Sequence, residues 1–290
     1  MNPFDLPGPP FLVFYVCLLA AVVYGAVRYR KFLEAGEPSR LDLSDPYLIA
    51  FLRGGPNESL RVAVINLVDR GLLNAKKTKL CRTARATPSS AGKAIERAVL
   101  DQTSAPVEAA SLFNGSGLTS AFSSYQTFLE GERLLPDGSQ VLVRFSLFLV
   151  TMGIVLGTGV TKLLIALDRG HHNIGFLIAL MCIGGGAAAF VCFPRLTEKG
   201  RLTLEDLRSL YSRLRDRAAD IQPGGATIEA AMLAAVFGLT ALPGEAFAYS
   251  KTLFPRASQA GSTCGSSCGS GGCGGGGGGC GGGGCGGCGS

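Results

Sequence analysis

Three long apolar runs, each bordered by isolated basic residues, dominate the hydropathy pattern of the chain. The first, Pro10 to Val27, carries no charge and meets Arg28, Arg30 and Lys31. The second extends from about Phe145 to Leu167 behind Arg144, and the third from Ile174 to Phe193 ahead of Arg195, Lys199 and Arg201. At 1.5 Å per helical residue these lengths lie near or above the minimum for crossing a hydrocarbon layer about 30 Å thick. Six residues, Asp168 to Asn173, separate the second run from the third and leave room only for an antiparallel hairpin. Arg28, Arg144 and Arg195 fall on one side of all three spans. The positive-inside rule then places the N-terminus outside and these arginines inside. A cleaved signal peptide would need basic residues before the first run, where only Asp5 is charged, so the run reads as an uncleaved anchor.

Between the first two runs the pattern changes to that of a small soluble module. Asp45-Pro46 opens a short helix over Tyr47–Leu52, and Gly54-Gly55-Pro56 stops it. Asn57 is placed to cap a second helix with Glu58 in its first turn and Leu60, Val64, Leu67 and Val68 on one face. Gly71 ends it, and Leu72–Ala75 and Lys79–Arg82 flank Lys76-Lys77-Thr78 as a hairpin. Helix, turn, helix and a two-stranded wing resemble a winged-helix module. Further helices are expected at Ala91–Thr103 and Ala121–Leu134, and an amphipathic one at Leu202–Ala219. Ala226–Leu242 is short, Ala-rich and carries Glu229, which favours a buried helix over a fourth span. The fold expected is mainly α. Its parts are an anchor (1–31), a winged-helix-like cytosolic module (41–112), a helical connector (113–144), a transmembrane hairpin (145–194), a cytosolic helical segment (195–256) and a disordered Gly/Cys-rich tail (257–290).

Composition sharpens this picture in two places. A positive mean hydropathy with only 17% charged residues favours a polytopic membrane protein over two soluble domains. The net charge of +6 is spread thinly, as in positive-inside loops, and lacks the concentrated basic stripe of a nucleic-acid surface. Arg61, Asn66, Asp69 and Arg70 are what the second helix could offer DNA, but Glu58 and Asp69 oppose phosphate; Lys76, Lys77 and Lys79 could equally meet anionic lipid. With no Trp, Tyr15, Tyr24 and Tyr29 are the candidate interfacial anchors. Lys162, the one charge within a span, is expected to snorkel. The glycines at 153, 157 and 159 and the run Gly184–Ala189 permit close helix approach or simple lipid-facing flexibility.

The second place is the stretch Gly261–Ser290, which contains only Gly, Cys, Ser and one Thr. It holds Cys264, Cys268, Cys273, Cys280, Cys285 and Cys288, six of the chain's ten cysteines. Without apolar or charged side chains such a segment cannot offset its ordering entropy, so it acts through its thiols. Only Cys285 and Cys288 form a C-x-x-C pair, half of a usual structural zinc signature. Polyglycine nevertheless lets several thiolates converge on a soft ion, Cu(I) or Zn(II). The segment could alternatively be modified by another enzyme, form disulfides if it lies outside the cytosol, or be inert. Cys17, Cys182 and Cys192 lie in spans as packing residues, and Cys81 in the wing. His171 and His172, with only Asp168 near, make a weak metal site. No phosphate-binding loop, H-E-x-x-H or G-x-S-x-G motif is present, and Glu205 and Asp206 are helix neighbours that do not face each other.

The opening Asn2–Pro9, the stretch Asp45-Pro46-Tyr47 through Leu52-Arg53-Gly54-Gly55-Pro56, the block Leu67 to Leu73, Leu196-Thr197 with Gly200-Arg201, and Val236-Phe237-Gly238 together resemble a family of uncharacterised bacterial membrane proteins with variable Gly- and Cys-rich ends. The resemblance implies an inner-membrane location and carries no residue role. It also resembles a second group of predicted membrane proteins in its winged-helix-like region, paired helices and glycine-rich end; the tail of that group is thought to be cytosolic. The expectation is a non-enzymatic membrane protein, partnered by the lipid bilayer, that presents its tail to soft metal or to a cysteine-modifying enzyme. The alternative is a tethered interaction or regulatory module acting through the winged-helix-like region, with a protein partner and the tail incidental. Nucleic acid is not an expected partner.

Overall fold

The computed structural model describes residues 8–36, 44–87, 90–114, 117–168, 175–218, 228–243 and 247–255. Among these the chain is mainly helical, with three helices long and apolar enough to cross a membrane. They are α1 (Gly8–Leu33), α6 (Gly138–Asp168) and α7 (Gly175–Cys192). Between α1 and α6 come α2 (Pro46–Gly54), α3 (Pro56–Asp69), strands β1 (Leu73–Lys76) and β2 (Lys79–Arg82), α4 (Ala94–Gln102), β3 (Val107–Glu108) and α5 (Leu118–Gly131). After α7 follow α8 (Glu198–Leu210), α9 (Ser212–Asp216), α10 (Glu229–Phe237) and α11 (Ala248–Leu253).

The three spans pack as a small bundle whose core is Phe11, Tyr15, Leu19, Val155 and Leu177. Large apolar side chains such as Val13, Leu149, Leu164 and Ile183 point outward from them, the reverse of a water-soluble bundle. Close approach depends on Gly184: a Cβ there would lie 2.7 Å from Leu19 Cδ2 and 3.3 Å from Val155 Cγ1. Gly159 likewise faces Met181, whereas Gly153 and Gly157 face open space. The small-residue pattern is thus a close-packing device at Gly159 and Gly184, and not at Gly153 or Gly157.

Several expectations change here. Tyr15 is not an interfacial anchor. It is fully buried, and its hydroxyl donates to the Val155 carbonyl at 2.8 Å, satisfying a polar group inside the bundle. Tyr24 and Tyr29 are exposed, as anchors require. Lys162 is buried against the bundle, with Nζ 4.7 Å from the centre of the Phe11 ring near the start of α1, a cation–π contact. Cys17 and Cys182 are exposed, and only Cys192 of the span cysteines is buried packing.

Outside the spans one apolar core draws on α2 to α5, the sheet, Leu207 of α8 and the elements after it. It runs across the segments 41–112, 113–144 and 195–256 distinguished above. At its centre lies α10, where every residue from Ala230 to Val236 is buried. At nine residues α10 is about 14 Å long, half the thickness of a bilayer core. Its small side chains let it pack closely against α2 and α3, which is why the Ala-rich run is a buried helix. Asp45 caps α2 by accepting the Tyr47 N–H at 3.0 Å, but α3 begins at Pro56 behind Gly55, so Asn57 lies inside the helix instead of capping it. The helix expected over 202–219 begins earlier, at Glu198, and is broken at Tyr211. The sheet has the order β1-β2-β3, antiparallel throughout, and Lys77 takes φ +55° in the tight turn of the β1-β2 hairpin.

Candidate functional site at the membrane junction

Two isolated charges at the ends of the spans meet in one place. Arg144, in the first turns of α6, is buried with Glu34, which follows α1; their side chains are 4% and 5% exposed. Arg144 Nε donates to Glu34 Oε1 at 2.7 Å, Nη1 to the Pro194 carbonyl at 2.6 Å and Nη2 to the Leu196 carbonyl at 3.3 Å. The other Glu34 oxygen accepts the Glu198 N–H at 3.1 Å, at the start of α8. One guanidinium and one carboxylate therefore bind the end of α1, the start of α6 and the α7–α8 connection together. The planar five-donor fork of arginine suits this task, and a lysine could not replace it.

The surroundings lock the folded domain onto this hub. Thr197 caps α8 by accepting the Gly200 N–H at 3.0 Å, and its hydroxyl is also within bonding distance of the Arg133 carbonyl, at 2.7 Å. A side chain at Gly200 would collide with the Leu134 carbonyl. Arg201 bonds Glu198 and holds its carboxyl below the ordinary carboxylate range, with burial opposing and Lys31 assisting. Arg195 reaches into the folded domain, donating to the Phe51 carbonyl at 2.6 Å beside Gly55. Burial lowers the Arg195 and Arg53 guanidinium values, with Glu58 pulling both back up. Gly238, at φ +98°, gives Arg53 room to approach α10. The short motifs around 53–56, 196–201 and 236–238 are therefore the seams of this junction.

A second polar cluster lies within the domain. The Tyr47 hydroxyl donates to Glu96 Oε1 and accepts from Asn66 Nδ2. The other Glu96 oxygen accepts from the Gly92 N–H at 2.8 Å and from Arg70 at 3.2 Å. Burial first, then Glu96, push the Tyr47 hydroxyl far above its ordinary value. With both oxygens of its carboxylate bonded, this cluster stitches α2, α3 and α4 together.

The residues weighed for DNA contact are drawn into the same internal bonding. Arg61 stacks on Phe113 and Phe254, at 5.4 and 5.9 Å, and pairs with Glu58. Asn66 is buried, and Arg70 binds Glu96 and the Ser90 carbonyl. Lys76, Lys77 and Lys79 remain exposed.

Cys264, Cys268, Cys273, Cys280, Cys285 and Cys288 lie outside the described residues, as do His171 and His172. Among the described residues no group of three or more His, Cys, Asp or Glu side chains could hold a metal. Sequence reasoning missed the Arg144–Glu34 hub because it took Arg144 only as a flanking charge. The signal available was a lone acid, Glu34, just past a span and matched by a lone base at the start of another. No family model matches this chain, and no curated protein or solved structure matches it.

Proposed function

We propose that this chain is a non-enzymatic integral membrane protein of the bacterial inner membrane that presents its Gly/Cys-rich segment 257–290, as a disordered tail, for soft-metal binding or cysteine modification on the cytosolic side. The observation that supports the reading is the anchorage of the domain that precedes that segment in the chain. Leu253 and Phe254 are buried in the core of this domain, which is bolted to the three spans through Arg144 and Arg195. On this reading six thiols on a polyglycine string follow a domain tethered to the bilayer. The catalytic motifs are missing from the sequence, and the buried polar clusters described above are engaged with one another. Intact-mass measurement of natively isolated protein tests the reading. Metal adducts or altered cysteine masses are expected; a metal-free tail whose six thiols all alkylate freely would sink it.

The second reading is a tethered interaction module acting through a winged-helix-like domain. It is favoured by the outer edge of β1, which has no strand beside it among the described residues. That edge borders an open groove of about 350 Å³ lined by Val68, Leu73, Ala75 and Tyr249, whose buried hydroxyl lacks a partner. A free edge beside a groove is the usual setting for strand addition by a peptide. A photo-crosslinker at Asn74 in native membranes would give a discrete protein adduct on this reading, and none if the domain is only a spacer.

A further inference from the structure

Beside the hub, the ends of α1 and α6 enclose a cavity of about 150 Å³ lined by Arg30, Leu33, Glu34, Ser139, Gln140, Val143, Arg144 and Leu147. Among the described residues two of its polar atoms are buried with no partner: Arg30 Nε, a donor, and Gln140 Oε1, an acceptor. Leaving such groups unsatisfied costs about 1–3 kcal/mol each, so the cavity offers a donor and an acceptor to an occupant. Glu34 is bonded to Arg144 and to the Glu198 N–H, and Arg30 Nε has no bond to it. Two arginines against one carboxylate leave the lining with a surplus positive charge.

The lining also carries apolar, partly exposed side chains. Leu33 at the end of α1 and Val143 in the first turns of α6 are 47% and 45% exposed. An occupant must therefore combine an anionic acceptor for Arg30, a hydroxyl donor for Gln140 and an apolar body for the rim. A bare phosphate brings no apolar body for the rim, and an ammonium headgroup would face the surplus positive charge. A phosphodiester bearing a free hydroxyl satisfies both atoms. The volume is several times the roughly 30 Å³ share of one water.

We propose that this cavity is a binding site for the headgroup of an anionic glycerol-type phospholipid, with Arg30 donating to the phosphate, Gln140 accepting from the glycerol hydroxyl, and Leu33, Val143 and Leu147 lying along the first acyl carbons. The site rivets the junction to the leaflet on the domain's side and is separate from the tail chemistry.

The test uses the full chain in detergent and native mass spectrometry with phosphatidylglycerol, phosphatidylethanolamine, phosphatidylcholine and water-soluble glycerophosphoglycerol. Phosphatidylglycerol should be retained at least tenfold better than the zwitterionic lipids and should raise the melting temperature of the wild type. Arg30→Met with Gln140→Leu should abolish that preference. Equal retention of all three lipids by the wild type would overturn the proposal, even if the double variant fails to fold. So would unchanged preference in the double variant. Equal stabilisation by glycerophosphoglycerol at the same concentration would show a soluble-anion site instead and also overturn it.

Discussion

Arg144 serves three partners from a buried position, Glu34 and the Pro194 and Leu196 carbonyls, and its removal would strand Glu34 in a place closed to water. Truncating one member of a buried ion pair typically costs about 3–5 kcal/mol, mostly the penalty for the charge left behind. Arg144→Met should therefore lower thermal stability in detergent strongly. Arg144→Met combined with Glu34→Leu should recover more than half of that loss, because no orphaned charge remains. A double variant no more stable than the single one would mean that the bonds to the Pro194 and Leu196 carbonyls carry the effect. Glu198, a few ångströms away, gives the junction a pH dependence. Its carboxyl is held below the ordinary value of about 4.3, chiefly by its bond with Arg201. A depressed folded-state value stabilises the fold above the unfolded-state value, and this contribution disappears as pH falls through the folded one. Melting temperature should fall as pH drops below the ordinary carboxylate value of about 4.3, and Glu198→Gln should flatten that part of the profile.

Within the membrane bundle, the close approach of α7 to Leu19 of α1 and Val155 of α6 depends on the absence of a side chain at position 184. A Cβ there would already touch Leu19 and Val155, so Gly184→Val should cost about 1–3 kcal/mol as an overpacked contact. Gly157→Val, which faces open space, should leave the melting temperature within a degree or two of the wild type. Equal effects at the two sites would refute this account of the packing. The contrast also marks how far the sequence could be read. Both glycines belong to small-residue runs that look alike, and only the rotation of each helix decides which faces a neighbour. The spans, the β1-β2 hairpin and the short α2 were legible because length, caps and Gly/Pro punctuation are local signals. The fate of Lys162 and Tyr15 was not, since burial of each depends on a helix more than a hundred residues distant in the chain or on a ring contact across it. The hub was hidden for the same reason: Glu34 and Arg144 are 110 positions apart, and no local rule pairs them.

On the scale of the molecule, the hub dictates a topology without reference to charge counting. The end of α1, the start of α6 and the end of α7 all converge on Arg144, so these three ends share one membrane face with the folded domain. The far ends, near Phe11, Leu167 and Phe176, share the other. The positive-inside rule, which acts on the chain during insertion, is indifferent to the later pairing of Arg144 and Arg195 inside the fold. Geometry and insertion rule thus bear on orientation independently, the first grouping the ends and the second choosing which group faces the cytosol. In a cysteine-free background, single cysteines at Thr78 and Lys251 should react with an impermeant thiol reagent only after cells are permeabilised, while one at Leu167 or Phe176 should react in intact cells. If Thr78 and Lys251 labelled differently from each other, the shared-face geometry would fail. If both labelled in intact cells, the geometry would stand but the orientation would invert, placing the exit of the cysteine-bearing segment in an oxidising space where disulfides, not soft-metal thiolates, are the favoured chemistry.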